Sequence, residues 1–98
     1  MNIQAMMKQA QKLQKDMMLA KEEIDNAEFK GVASFVTVTM KGSKEVISVN
    51  ISNKDINGDD IELLEDMIVV AINDAIRQID AVTEEKMGKY TQGMPGLF

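Results

Sequence analysis

Ser34-Phe35-Val36-Thr37-Val38-Thr39-Met40, then Lys41-Gly42-Ser43-Lys44, then Val46-Ile47-Ser48-Val49-Asn50-Ile51, is the stretch whose reading decides the fold. Both outer runs alternate with a period of two and are rich in β-branched residues, the pattern of half-buried strands. The segment between them offers Gly42 for a turn, so the two runs form a hairpin. A shorter run near Ala27–Val32, set off from the next by Gly31, supplies a third strand. Two strands alone would be marginal in water, whereas three packed on a helix hold.

Outward from the hairpin the period changes. On the N-terminal side Ile3, Met6, Ala10, Leu13, Met17, Ala20, Ile24 and Ala27 recur at spacings of 3-4-3-4-3-4-3. That heptad seam, uninterrupted by Gly or Pro, predicts a helix over residues 2–26 that packs lengthwise on another helix. On the C-terminal side residues 53–58 read as a loop closed by Asn57-Gly58. Asp59 is the expected cap of a second long helix, with Glu62 completing a capping box. Its apolar face is Ile61, Leu64, Ile68, Ile72, Ala75, Ile79 and Val82. Leu63, Val69, Val70 and Ile76 widen that face, which predicts burial on more than one side. Met87-Gly88 is the expected helix end. The reading is therefore an α+β domain over residues 1–88, ordered α-β-β(-β)-α with a small antiparallel sheet, and a flexible C-terminal tail over residues 89–98.

Ninety-eight residues fit one domain. So short a chain buries a small share of its surface, and such domains commonly lean on a disulfide, a metal or a partner subunit. With no cysteine and no histidine, disulfides, thiolate ligands and imidazole chemistry are excluded. A homodimer is the remaining device. The N-terminus runs straight into polar, charged sequence without a secretory pattern. The longest apolar run, Met67 to Ile72, falls far short of the ~20 residues that span a bilayer. A cytoplasmic protein with no membrane partner is expected.

The net charge is −5, but it is unevenly spread. Residues 1–21 hold four lysines against Asp16 alone, a net +3, and residues 22–98 hold seven bases and fifteen acids, a net −8. Lys8, Lys12 and Lys15 lie at i, i+4 and i+7, on one helix face away from the seam. Such a ladder of ammonium groups can track a phosphate backbone, with Gln4 and Gln11 as hydrogen-bond donors beside it. The same spacing also describes an ordinary solvated face, and the sequence alone leaves both readings open.

The other constellations are weaker. Glu62, Glu65, Asp66, Asn73 and Asp74 cluster on the second helix. One helix face rarely supplies enough oxygen ligands for Mg²⁺ or Ca²⁺, and acids in a first turn favour the helix dipole. Capping is the better reading. No nucleophile has a histidine or cysteine beside it, and no glycine loop is built for phosphate, so no enzyme, cofactor or small-molecule substrate is expected. Phe29, Phe35, Tyr90 and Phe98 are too scattered to stack single-stranded bases. Met6, Met7, Met17, Met18, Met67 and Met87 are chiefly core filler. They, or the Gly96-Leu97-Phe98 tail, would suit the alternative reading, a protein–protein adaptor.

Three stretches carry a resemblance: residues 6–14 (Met-Met-Lys-Gln-Ala-Gln-Lys-Leu-Gln), residues 64–75 (Leu-Glu-Asp-Met-Ile-Val-Val-Ala-Ile-Asn-Asp-Ala), and Glu85-Lys86-Met87-Gly88 with Gly93-Met94-Pro95-Gly96. In order and spacing they are similar to the YbaB/EbfC family of bacterial nucleoid-associated proteins, over essentially the whole chain. The resemblance implies a non-enzymatic α-β-α homodimer whose paired sheets form a body and whose helices project like tweezers. It implies binding to double-stranded DNA and a role in nucleoid organisation or gene regulation. Carried over position by position, Lys8, Gln11, Lys12 and Lys15 are its candidate DNA contacts, with Arg77 and Lys86 as lesser candidates. The Leu-Glu-Asp and Asn-Asp positions read as structural.

Overall fold

In the computed structural model, which describes residues 2–91, the chain runs α1 (Ile3–Asn26), β1 (Glu28–Ala33), β2 (Val36–Lys41), β3 (Val46–Ile51), one 3-10 turn (Gly58–Asp60) and α2 (Ile61–Thr91). The strands form one antiparallel sheet in the order β1-β2-β3. Gly31 pairs with Val38 and Ala33 with Val36, while Val38 pairs with Val49 and Val36 with Ile51. Val46 and Ser48 pair with Met40 and Thr39, which leaves Ile47 as the extra residue of a bulge.

Alternation puts Val36, Val38 and Met40 on one face of β2, where all three are buried. Ala71, Ala75 and Ile79 of α2 pack onto them, with Phe29, Leu64, Met67, Ile68 and Ile72 around the edge. The packing is backbone-close. A Cβ at Gly31 would lie 1.9 Å from the Ala71 carbonyl oxygen and 2.6 Å from the Ala75 nitrogen. Small residues on both elements therefore let α2 settle onto β1.

That seating closes one edge of the sheet. The outward N–H of Val32 donates to Asp74 Oδ2 at 3.0 Å, and Gln78 Nε2 donates to the Lys30 carbonyl at 2.8 Å. Two α2 side chains thus occupy the groups a further strand would need. Asp74 thereby has the structural role expected of it. Among the described residues the opposite edge, β3, has no such cover, because α2 packs chiefly on β1 and β2.

Several expectations are corrected. Gly31 does not end β1, which continues to Ala33; the chain turns at Ser34, whose φ is 53°. In the hairpin the left-handed residue is Lys44 (φ 72°), and Gly42 lies outside that region. The helix cap is Asn57, not Asp59. Its side chain accepts from Asp59 N–H, and Asp60 rather than Glu62 returns the bond to Asn57 N–H. The two-residue shift follows from a tight 3-10 turn ahead of α2. Gly88 does not end α2, which runs on to Thr91 because one glycine costs a helix only ~1 kcal/mol. Leu63, Val69 and Val70 stay about half exposed instead of widening the buried face, since a single sheet face packs on one side of α2. The remainder of the expected tail, residues 92–98, lies outside the described residues.

The two kinds of glycine make opposite predictions. G31A drives a methyl into backbone and should lower stability toward the upper part of the ~1–3 kcal/mol range for overpacked sites. G88A meets nothing within 4 Å and should raise it by about 0.5–1 kcal/mol. Urea unfolding of both variants checks the signs.

Candidate nucleic-acid interface

Helix α1 is the site's scaffold. Asn2 caps it by accepting from Ala5 N–H at 3.2 Å. Good helix formers then carry it without interruption to Asn26. Its seam meets α2 only at the C-terminal end. Ile24 is buried beside Met87, Ile79 and Thr83, and exposure then climbs through Leu13 (44%) and Met6 (53%) to Ile3 (68%). Every residue from Asn2 to Asp16 is exposed. The first four turns therefore stand clear of the body as an arm. The overall shape agrees: extents are 71 × 21 × 14 Å and the radius of gyration is 19.4 Å, against ~13 Å for a compact chain of about 100 residues. The seam's lengthwise contact with a second helix is thus confined to its last two turns within one chain.

Lys8, Gln11, Lys12 and Lys15 share one face of this arm within an arc of about 100°, on the side opposite the seam. From Lys8 to Lys15 the axis rises about 10 Å. Along duplex DNA that length passes several phosphates, at one charge per ~1.7 Å. Charge availability separates the candidates further. The ion pairs among the described residues are Lys21–Asp25 (2.9 Å), Lys44–Asp80 (3.2 Å), Arg77–Asp74 (3.7 Å) and Lys86–Glu23 (3.2 Å). Lys8, Lys12 and Lys15 take part in none of them. Asp16 is the arm's one carboxylate before residue 22.

The six sequence candidates therefore do not gather in one place. Four lie together on α1. Arg77 sits on the body, one turn along α2 from the Asp74 that closes the β1 edge. Lys86 bridges from α2 to Glu23 at the arm's base, where its charge is already answered. Among the described residues no group of acidic side chains is placed to hold a metal, and no helix is long and apolar enough to cross a membrane. The β3 edge, with Val46, Ile47 and Val49 each 43–44% exposed, is a feature the sequence reading missed. Its signal was present in Val46-Ile47, two adjacent apolar residues that strict alternation cannot both bury.

The sequence profile of the YbaB/EbfC DNA-binding family matches residues 1–94. A nucleoid-associated protein of Lactococcus lactis subsp. cremoris (strain MG1363) is 50% identical over 97 residues, covering 97% of this chain and 98% of that protein. One from Ligilactobacillus salivarius is 41% identical, covering 99% and 95%. An uncharacterized protein of Helicobacter pylori with a known crystal structure superposes with a TM-score of 0.62 over 98% of this chain and 99% of its own. At 18% identity it speaks for the fold alone.

Lys8, Lys12 and Lys15 make no ion pair among the described residues and repel one another along the helix, so their charges add little to folding. Changing all three to Gln should leave stability within about 0.5 kcal/mol of wild type or slightly raise it. Thermal unfolding measured by circular dichroism reads this directly.

Proposed function

The chain belongs to the YbaB/EbfC DNA-binding family, whose members are nucleoid-associated and non-enzymatic, and from that premise we propose that it binds double-stranded DNA as a homodimer through the lysine face of α1. The observation that carries this reading is the separation of charge along the molecule. The projecting arm holds three exposed lysines that make no ion pair among the described residues, while most of the acids lie beyond it. Gln11 adds an amide donor between them. The contacts go chiefly to phosphates, because a ladder of ammonium groups on one helix face follows the backbone charge whatever the base sequence. Binding of this kind serves nucleoid organisation or gene regulation, in the cytoplasm.

The dimer is supported by the asymmetry of the sheet. With β1 closed by Asp74 and Gln78, the second copy joins at β3. Val49 and Ile51 pair with Val38 and Val36 and so face the same side as α2, yet Val49 stays 43% exposed, with Val46 and Ile47 alongside it. A copy laid on this edge continues the sheet, covers those side chains and presents two arms to one duplex.

Two copies of a −5 chain carry −10, so the body repels DNA and the arms must overcome it. Affinity is then expected in the non-specific range, a Kd on the order of 10⁻⁴–10⁻⁶ M at physiological salt. Three lysines on each of two arms give six phosphate contacts and a slope of log K against log salt of about −5, roughly a thousandfold loss between 50 and 200 mM. Anisotropy of a labelled duplex measures this. The Lys8, Lys12 and Lys15 to Gln triple variant should lose binding while keeping fold and dimer. Undiminished affinity in that variant would contradict the reading. Separately, V49K should split the dimer in sedimentation velocity, since it places a charge in the proposed joint. A V49K protein that sediments as a dimer would place the joint elsewhere.

A further inference from the structure

The arm's direction is set at one small spot. The N–H of Gly42 donates to the carbonyl of Ala27, the residue that caps α1, at 3.0 Å. The Gly42 Cα lies directly against the last turn of the helix. A Cβ there would fall 1.8 Å from the Ile24 carbonyl oxygen, 2.6 Å from its carbon and 3.1 Å from Ile24 Cγ2. The turn itself does not ask for glycine at this position, because the left-handed conformation belongs to Lys44. What requires the missing side chain is the approach of α1. The same turn is tied to α2 through Lys44 Nζ and Asp80 (3.2 Å). The hairpin turn therefore holds both helices where they part from the body, and Gly42 is the side that touches the arm.

We propose that Gly42 is a positioning residue for DNA binding: the seat it forms against Ile24 and Ala27 fixes the angle at which the lysine-bearing arm leaves the body. This inference rests on the DNA-binding reading above. The lever is long. To reach ordinary van der Waals contact at 3.4 Å, a side chain at residue 42 must push the Ile24 carbonyl back by about 1.6 Å. If α1 pivots about one turn away, the tip near Ile3 moves on the order of 5–10 Å. A shift of that size is comparable to the ~10 Å rise of the lysine ladder, enough to take one arm off the phosphates that the other still reaches.

The test uses the full-length chain, which has no native cysteine. Spin labels at Q4C and E62C report the distance from arm tip to body. Diluting labelled chains into excess unlabelled protein keeps that distance within one protomer. In G42A the distance distribution is expected to shift or broaden. In parallel, duplex affinity at low salt should fall at least tenfold, and the salt slope should drop from about −5 toward about −3 as one arm disengages. The slope is the readout that a merely structural glycine would not move. A27G, which loosens the same joint without adding bulk, should broaden the distribution as well and carries the test if G42A does not fold. G31A serves as the contrast: an equally tight site in the body whose replacement lowers stability but leaves the arm distance in place. An unmoved arm in both joint variants, or a moved arm with unchanged affinity and slope, overturns the positioning role while leaving DNA binding intact. Wild-type protein that binds no duplex overturns the DNA-binding reading itself, and the positioning role with it.

Discussion

Everything in this fold follows from how closely α2 lies on β1 and β2. At Gly31 the two backbones are separated by less than a methyl group, and Ala71 and Ala75 are the residues that face it. Contact at that range fixes the helix laterally, because any larger side chain on either element would lift it. With α2 held there, Asp74 and Gln78 come within hydrogen-bond reach of the outer edge of β1. The same placement leaves β3 beyond the helix, with apolar residues only partly covered. A three-stranded sheet with one sealed edge and one open edge is thus a consequence of where small residues fall in the sequence.

The second consequence is the arm. Since α2 runs on past the sheet to Thr91, Met87 is carried out to the last turn of α1, where it and Ile24 are both buried and line one cleft. Lys86 and Glu23 pair beside them, a contact of the exposed kind that contributes little to stability. Anchoring is therefore concentrated in the last two turns of α1, and the rest of the helix is free to project. Its charge then decides its use. A net +3 segment standing clear of a net −8 remainder is a shape in which a protein acidic overall can approach a polyanion.

Much of this was legible in the sequence, and the parts that were not share a cause. Both long helices, the hairpin and the lysine face are set by periods of 3.6 and 2, which are local properties. The first helix was read to its observed end at Asn26. The roles of the glycines were not legible. Gly31 and Gly42 looked like turn punctuation, but each is needed where a distant backbone comes close, Ala71 for one and Ile24 for the other. Gly88 looked like a stop, yet the helix continues through it. The cap moved to Asn57 because a 3-10 turn precedes the helix, a choice of hydrogen-bond ring that composition does not reveal. The i, i+4, i+7 spacing of Lys8, Lys12 and Lys15 puts them on one face of α1, an inference that needs only the helix itself. Spacing could not tell that Lys86 faces a carboxylate 63 positions away, because that pairing depends on how the helices meet.

The most direct test of the central claim is lysine footprinting by mass spectrometry: brief acetylation with and without excess duplex DNA at low salt. The account predicts protection of Lys8, Lys12 and Lys15, with Lys30 and Lys54 on the body modified equally in both samples. Protection confined to the body lysines, or no protection anywhere under conditions where the duplex is bound, would contradict it.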